Sequence, residues 1–405
     1  MPSVRSVLTR HRDFRRLFLA ELVVFGADWF AVIPLLTLLL DLTGSGVWGS
    51  FALAADTGVG ALLLPYAGAV ADRWDRRRVM VLAGLGAVVG ALLLLAVRGP
   101  GLAWLGPLAI AVLGTAKAFF SPAALAALPN VVAEEDLSTA NAISGSAWGT
   151  MVVVGSSLGG VVTSLIGPYL CFVVAAGLLT AASLLVWGIR APLQGERTAR
   201  PAPALVAVRE AVGYVRRHPR VASLITVKAA VGLGNGVLGV FPMLAGLFGV
   251  GAVGTGALFA ARGLGALTGP LVMRRALSRR RWLLPGLALS MALYGVAYLG
   301  VAVSGWFALT VGLVLVAHFA GGTNWVMSNY ALQLEVPDEL RGRVFATDMM
   351  LATLAIAVSL LVVGAFIDTV DLRVLIGACG ATTLLYAVGW RLATRHREPA
   401  PEAAD

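Results

Sequence analysis

The sequence predicts an all-α membrane protein with twelve transmembrane helices in two pseudo-symmetric six-helix bundles. Three observations carry this. Of 405 residues, 59% are hydrophobic and only 13% are charged, where a soluble domain keeps roughly a quarter of its residues charged. Glycine is abundant, at 48 residues, as expected where helices pack closely in lipid. Apolar windows of about 20 residues, long enough to cross the hydrocarbon core of a bilayer, recur along the whole chain.

Taken in order, the twelve spans are expected at 17–40, 48–71, 79–97, 102–127, 141–166, 168–189, 221–247, 251–273, 282–303, 306–333, 345–367 and 372–393. An even number of spans places both termini on one side. The loops and flanks on that side carry 26 arginines, while the opposite loops carry two, Arg98 and Arg373. By the positive-inside rule the arginine-rich side is cytoplasmic, which predicts a multi-pass protein of the plasma or inner membrane with cytoplasmic termini. The same asymmetry accounts for the net charge of +10 without a nucleic-acid partner. The basic N-terminus leads into an apolar run long enough to span and without a small-residue cleavage site, so the first helix is expected to act as an uncleaved insertion signal.

The segment Arg190–Arg220 is rich in Pro, Arg and Ala. Within it Leu205, Val208, Val212 and Val215 recur at helical spacing, with Arg209, Glu210, Arg216 and Arg217 on other faces, which predicts an amphipathic helix on the cytoplasmic surface. It divides the chain into an N-terminal bundle (1–190), a linker (191–220) and a C-terminal bundle (221–405). The halves are weakly repeated at an offset of about 203 residues, the pattern of secondary transporters with a midplane substrate site. Val132–Leu137 after the fourth span is echoed by Val336–Leu340 after the tenth. Gly68 and its basic turn are echoed by Gly269 and Arg274–Arg281, with Met273 where Asp72 would stand.

Between the second and third spans lies Gly68-Ala-Val-Ala-Asp72-Arg73-Trp74-Asp75-Arg76-Arg77-Arg78. Four arginines and two aspartates cannot sit in hydrocarbon, so this is a turn at a membrane face. The pattern Gly-x-x-x-Asp-Arg-x-x-Arg-Arg resembles the signature loop of the major facilitator superfamily of transporters, with Asp75 where the family usually has glycine. Phe14-Arg-Arg-Leu17, Gly26-Ala-Asp28-Trp29, Leu42-Thr-Gly-Ser45, Ser121-Pro-Ala123, Leu128-Pro-Asn130 and Arg341-Gly-Arg343-Val344 resemble the branch with macrolide-efflux-like and enterobactin-exporter-like proteins. That resemblance implies alternating access and proton-driven export of an amphiphilic small molecule. Two departures stand out. Gly155-Ser-Ser-Leu-Gly159-Gly160 lacks the proline of the antiporter motif, and the fourth span lacks the arginine common in drug–proton antiporters; its Lys117 does not match that motif.

The composition also excludes alternatives. No Gly-x4-Gly-Lys-Ser/Thr loop is present for an ATP-driven pump, so an ion gradient or the substrate's own gradient must supply the energy. No nucleophile–base constellation supports an enzyme. Cys171 and Cys379 lie within apolar spans, far from any ligand cluster, so neither a metal nor another cofactor is expected. The partners expected are a small-molecule substrate, protons and membrane lipid, with the chain acting as a monomer.

An ionisable side chain in hydrocarbon costs about 2.5–3.5 kcal/mol on insertion scales and is a functional candidate by default. Glu21, Asp28, Lys117 and Lys228 fall on the spans that line the cavity in the resembled fold, and form the candidate proton-coupling set. Glu21 and Asp28 are seven apart and so share one helix face, about 10 Å apart along the axis. Removing a carboxylate from water favours its protonated form, which suits reversible proton carriage by Asp28, with Lys117 or Lys228 as its counter-ion. Gly68, Asp72, Arg73, Arg76 and Asp348 form the candidate gate. Asp72 is expected at the N-terminus of the eleventh span, where the helix dipole favours an anion, and Arg76 against Glu134, Glu135 or Asp136. Asp56, Arg262, Asn324, Trp325 and Asn329 are candidate substrate contacts, with His318 beside them. The readings in competition with an amphiphile exporter are a lipid or siderophore exporter or flippase, an importer of the same fold, and a non-transporting receptor or assembly factor.

Overall fold

The computed structural model describes residues 4–194, 204–277 and 283–397. The second basic turn, apart from its first residues, and part of the linker lie outside these. The helices are α1 (Val4–Arg10), α2 (Arg12–Thr43), α3 (Val47–Arg73), α4 (Arg76–Leu93), α5 (Leu105–Ala127), α6 (Leu137–Ile166), α7 (Pro168–Trp187), α8 (Ala204–Arg217), α9 (Pro219–Gly234), α10 (Phe241–Leu247), α11 (Gly251–Leu277), α12 (Leu283–Val303), α13 (Phe307–Glu335), α14 (Asp338–Phe366) and α15 (Leu372–Thr394). Twelve spans are long and apolar enough to cross a membrane, and no strand occurs among the described residues. α2–α7 pack among themselves, as do α9–α15; the two groups meet where α6 crosses α11 and α3 crosses α14.

One expected span is not continuous. The seventh breaks into α9, a 3₁₀ stretch over Asn235–Val240, and α10. The break is buried throughout, so its backbone groups need protein partners. Ser359 of α14 supplies them: Gly236 N–H donates to its hydroxyl at 3.0 Å, and that hydroxyl donates to Leu233 O. The predicted amphipathic helix forms as α8, but protein covers part of it. Ala211 is fully buried, Tyr214 and Val215 pack on the C-terminal core, and Glu210 pairs with Arg343 of α14.

The arginine-rich loops gather at one end. Arg76 donates to Ala126 O at 2.7 Å and to Leu193 O at 3.0 Å, Arg77 donates to Ala191 O, and Asp13 accepts from Arg190 N and Ala191 N. At the opposite, arginine-poor end the two halves are sealed together. Three glycines of α6 explain much of this, because they let backbones meet. A Cβ at Gly155 would lie 2.7 Å from Gly26 O, at Gly159 2.9 Å from Phe30 O, and at Gly160 2.6 Å from Ala252 O. The first two seat α2, whose Pro34 cannot bond the Phe30 carbonyl; the third seats α11. The segment in which the antiporter proline is missing is thus the place where α6 touches both halves. Residues 28–39 of α2 and 234–242 of the seventh span are buried without interruption, as helices enclosed on every side must be.

A polar latch completes the seal. Asp368, just beyond α14, accepts from Ser45 Oγ at 2.5 Å and from Gly46 N at 3.3 Å at the start of α3. Ser50, one turn further in, is fully buried. Asp368 is exposed, so solvent screens these bonds to on the order of 1 kcal/mol, and losing the latch shifts the opening equilibrium by roughly fivefold. Asp368→Ala is therefore expected to speed maleimide labelling of a cysteine placed at Ser50 by about that factor. An unchanged labelling rate would show that packing alone holds this end shut.

Candidate functional site

The centre of the molecule holds two separate charged clusters, one in each half. In the N-terminal half, α2, α3 and α5 bring Asp28, Asp56 and Lys117 together. Lys117 Nζ lies 2.6 Å from Asp28 Oδ2 and 2.8 Å from Asp56 Oδ1. The Asp28 side chain is 4% exposed, against 18% for Lys117 and 20% for Asp56. Asp28 Oδ1 is buried without a hydrogen-bond partner. Gly114, one turn before Lys117, sets the spacing: a Cβ there would lie 3.0 Å from Asp56 Oδ1 and 3.1 Å from Asp56 O. A larger residue would push α3 off α5 and separate the charges. With both acids ionised the cluster carries a net charge of about −1, so a single proton neutralises it.

In the C-terminal half, Lys228 of α9 pairs with Asp348 of α14, and both are essentially excluded from solvent. Lys228 Nζ also donates to Asn329 Oδ1 at 2.7 Å and lies 5.1 Å from the Trp325 ring. This cluster is charge-balanced.

Arg262 of α11 stands apart from both. Its guanidinium lies 5.2 Å from the Trp29 ring of α2 and 5.4 Å from the Trp148 ring of α6. Trp29 also packs on Phe259 with centroids 5.5 Å apart. Sequence placed Trp29 only in a family-like motif and did not mark Trp148; an aromatic in an apolar span reads as packing until the cation beside it is seen.

The remaining candidates fall elsewhere. Glu21 is buried on α2 beside Ser144 of α6 and takes no part in the Lys117 cluster. Asp348 is not at the start of its helix as expected. The polar turn before it is itself helical, so Asp348 lies ten residues inside α14, about 15 Å along the axis, where it pairs with Lys228. Among the described residues Arg76 meets no acid: it holds backbone carbonyls, which leave α3 and α5 at their C-terminal ends. Asp136, one of the acids expected for it, binds Arg10 at 3.0 Å and His11 at 2.8 Å. Gly68 has open space around it, and Asp72 and Arg73 are exposed. Asn324 is fully buried and donates to Ser290 Oγ at 2.9 Å, which ties α12 to α13. His318 Nε2 lies 2.9 Å from Tyr298 Oη. No group of residues suited to hold a metal occurs among the described residues.

Comparison with known proteins agrees with this architecture. The family model of the Major Facilitator Superfamily matches residues 17–289 and 230–405. Uncharacterised MFS-type transporters of Mycobacterium tuberculosis and Mycobacterium bovis are 32% identical over 340 residues, covering 76% of this chain and 73% of theirs. Among solved structures, a bacterial homologue of the human lysosomal transporter Spinster, inward-facing and unoccupied, superposes with a TM-score of 0.74 at 15% identity, covering 96% of this chain and 99% of that one. The nucleoside transporter NupG gives 0.73 at 16% identity over 94% of this chain and 98% of its own. Those two likenesses are of fold; the family match and the mycobacterial relatives carry the assignment. With twelve spans, this family match and these relatives, the chain belongs to the Major Facilitator Superfamily and is a membrane transporter.

Proposed function

We propose that the protein is a proton-coupled secondary transporter of an amphiphilic small molecule, with Asp28, Asp56 and Lys117 as the proton site. The observation that carries this reading is one lysine shared by two carboxylates, at 2.6 and 2.8 Å. A cluster of that composition is one proton short of neutrality in a medium where net charge is costly. The seal at the arginine-poor end leaves the partly exposed Lys117 reachable from the arginine-rich side, which the positive-inside rule assigns to the cytoplasm. As the seal moves from one end to the other, the cluster exchanges its proton with one side and then with the opposite one.

Export by proton antiport is the direction that the resembled branch of the family implies, with a drug or natural product as cargo. Import by cotransport is the second reading, and one observation favours it: among the described residues Arg262 has no acid within ion-pair distance, so an anion travelling with a proton would find an unpaired cation in the interior. Purified protein in liposomes with an imposed proton gradient tests both. Accumulation of substrate against the gradient's direction supports exchange, and accumulation along it supports cotransport. Transport that ignores the gradient in both polarities removes proton coupling from the mechanism.

A further inference from the structure

Each intramembrane lysine has its counter-ion within its own half: Lys117 has two and Lys228 has one. Arg262 has none. Among the described residues no carboxylate lies within ion-pair distance of it, none of its N–H groups donates a hydrogen bond, and Nη1 is buried. Tyr294, Tyr298, Asp56 and His318 lie within electrostatic reach, but the two phenols and the imidazole are not anions and Asp56 has Lys117 as its own partner. The guanidinium sits near the middle of α11, between Trp29 and Trp148, with Trp148 38% exposed. Cation–π contacts offset part of the cost of a desolvated cation, yet leave its donors unused. A planar fork of donors is matched by a carboxylate, sulfonate or phosphate, and indole faces match a flat apolar body attached to it.

We propose that Arg262 binds the anionic group of the transported molecule and that the exposed Trp148 packs on its flat apolar body, with the buried Trp29 holding the guanidinium in place, so that the cargo is an amphiphilic organic anion. The proposal rests on the transporter reading and names its substrate class. It has a consequence for coupling. Protonating the Lys117 cluster removes a negative charge from the interior, which makes an anion beside Arg262 more favourable. Proton and cargo then strengthen each other's binding, as in cotransport.

A structural arginine and a substrate anchor predict opposite effects on the empty protein. An unpartnered buried cation is a site held at the expense of stability, so Arg262→Gln is expected to raise the melting temperature of the substrate-free transporter. The binding probe is 2-naphthaleneacetate against its neutral amide, equal in shape and different in charge. Wild type is expected to bind the acid about tenfold or more tightly than the amide, the usual worth of a charge-assisted pair. Arg262→Gln should bring the two affinities together, Arg262→Lys should keep a reduced preference for the acid, and Trp148→Leu should weaken both probes alike. Equal binding of acid and amide by wild type, no binding of either, or a preference that survives in Arg262→Gln overturns the proposal. These are equilibrium measurements without a gradient, so proton coupling stands or falls separately on the liposome experiment.

Discussion

Asp28→Asn is expected to abolish proton-driven accumulation while leaving downhill exchange of substrate intact. The cluster explains why the loss is selective. Lys117 lies 2.6 Å from Asp28 and 2.8 Å from Asp56, so after the substitution Lys117 keeps Asp56 and the interior holds a neutral pair. Neutrality lets the protein fold and change conformation; what disappears is the spare negative charge that a proton would answer. Asp28→Asn/Asp56→Asn differs in kind, because Lys117 is then left without a counter-ion. Breaking a buried pair in that way costs about 3–5 kcal/mol, and the double variant is expected to fold poorly. Counterflow and gradient-driven uptake, measured on the same liposomes, separate the outcomes. Gradient-driven accumulation by Asp28→Asn would reduce Asp28 to a structural charge.

The helices were legible because hydropathy marks what lipid demands: α6, α7 and α12 begin within four residues of their expected starts. Helix ends in water were less so. α14 starts at Asp338, in a polar turn that hydropathy excludes from the span, and this places Asp348 well inside its helix and not near its start. The break in the seventh span was visible only as a surplus of glycine over 232–239, which hydropathy does not weigh. Each intramembrane charge was identifiable one at a time, since a charge in lipid is conspicuous wherever it sits. Its partner was not, because pairing depends on how helices rotate and slide against one another. Thus Lys117 and Lys228 remained equal candidates beside Asp28, although Gly114 seats α3 against α5 at the level of Lys117. The Asp368 latch had no sequence signal beyond its place in a short loop.

The other large effect is expected where Lys228 meets Asp348. Their side chains are 0% and 1% exposed, and Asn329 Oδ1 at 2.7 Å is the other hydrogen-bond acceptor described for Lys228. Unlike Lys117, Lys228 has no second acid in reserve among the described residues. Asp348→Asn or Lys228→Met should each leave a bare charge among α9, α13 and α14, at about 3–5 kcal/mol, a large share of a typical total stability of about 5–15 kcal/mol. Both single variants are therefore expected to melt early in detergent and to give little folded protein. Lys228→Met/Asp348→Leu removes both charges and fills the space with apolar atoms, a change that is often neutral or stabilising, so most of the lost stability should return. The double variant then decides what the pair is for. If it transports like wild type, the pair serves to hold α9 against α14, and the Lys117 cluster alone handles protons. If it folds but no longer accumulates substrate, the C-terminal pair is a second charged element of the transport cycle. Single variants that melt with wild type would show that the pair contributes nothing to holding these helices together.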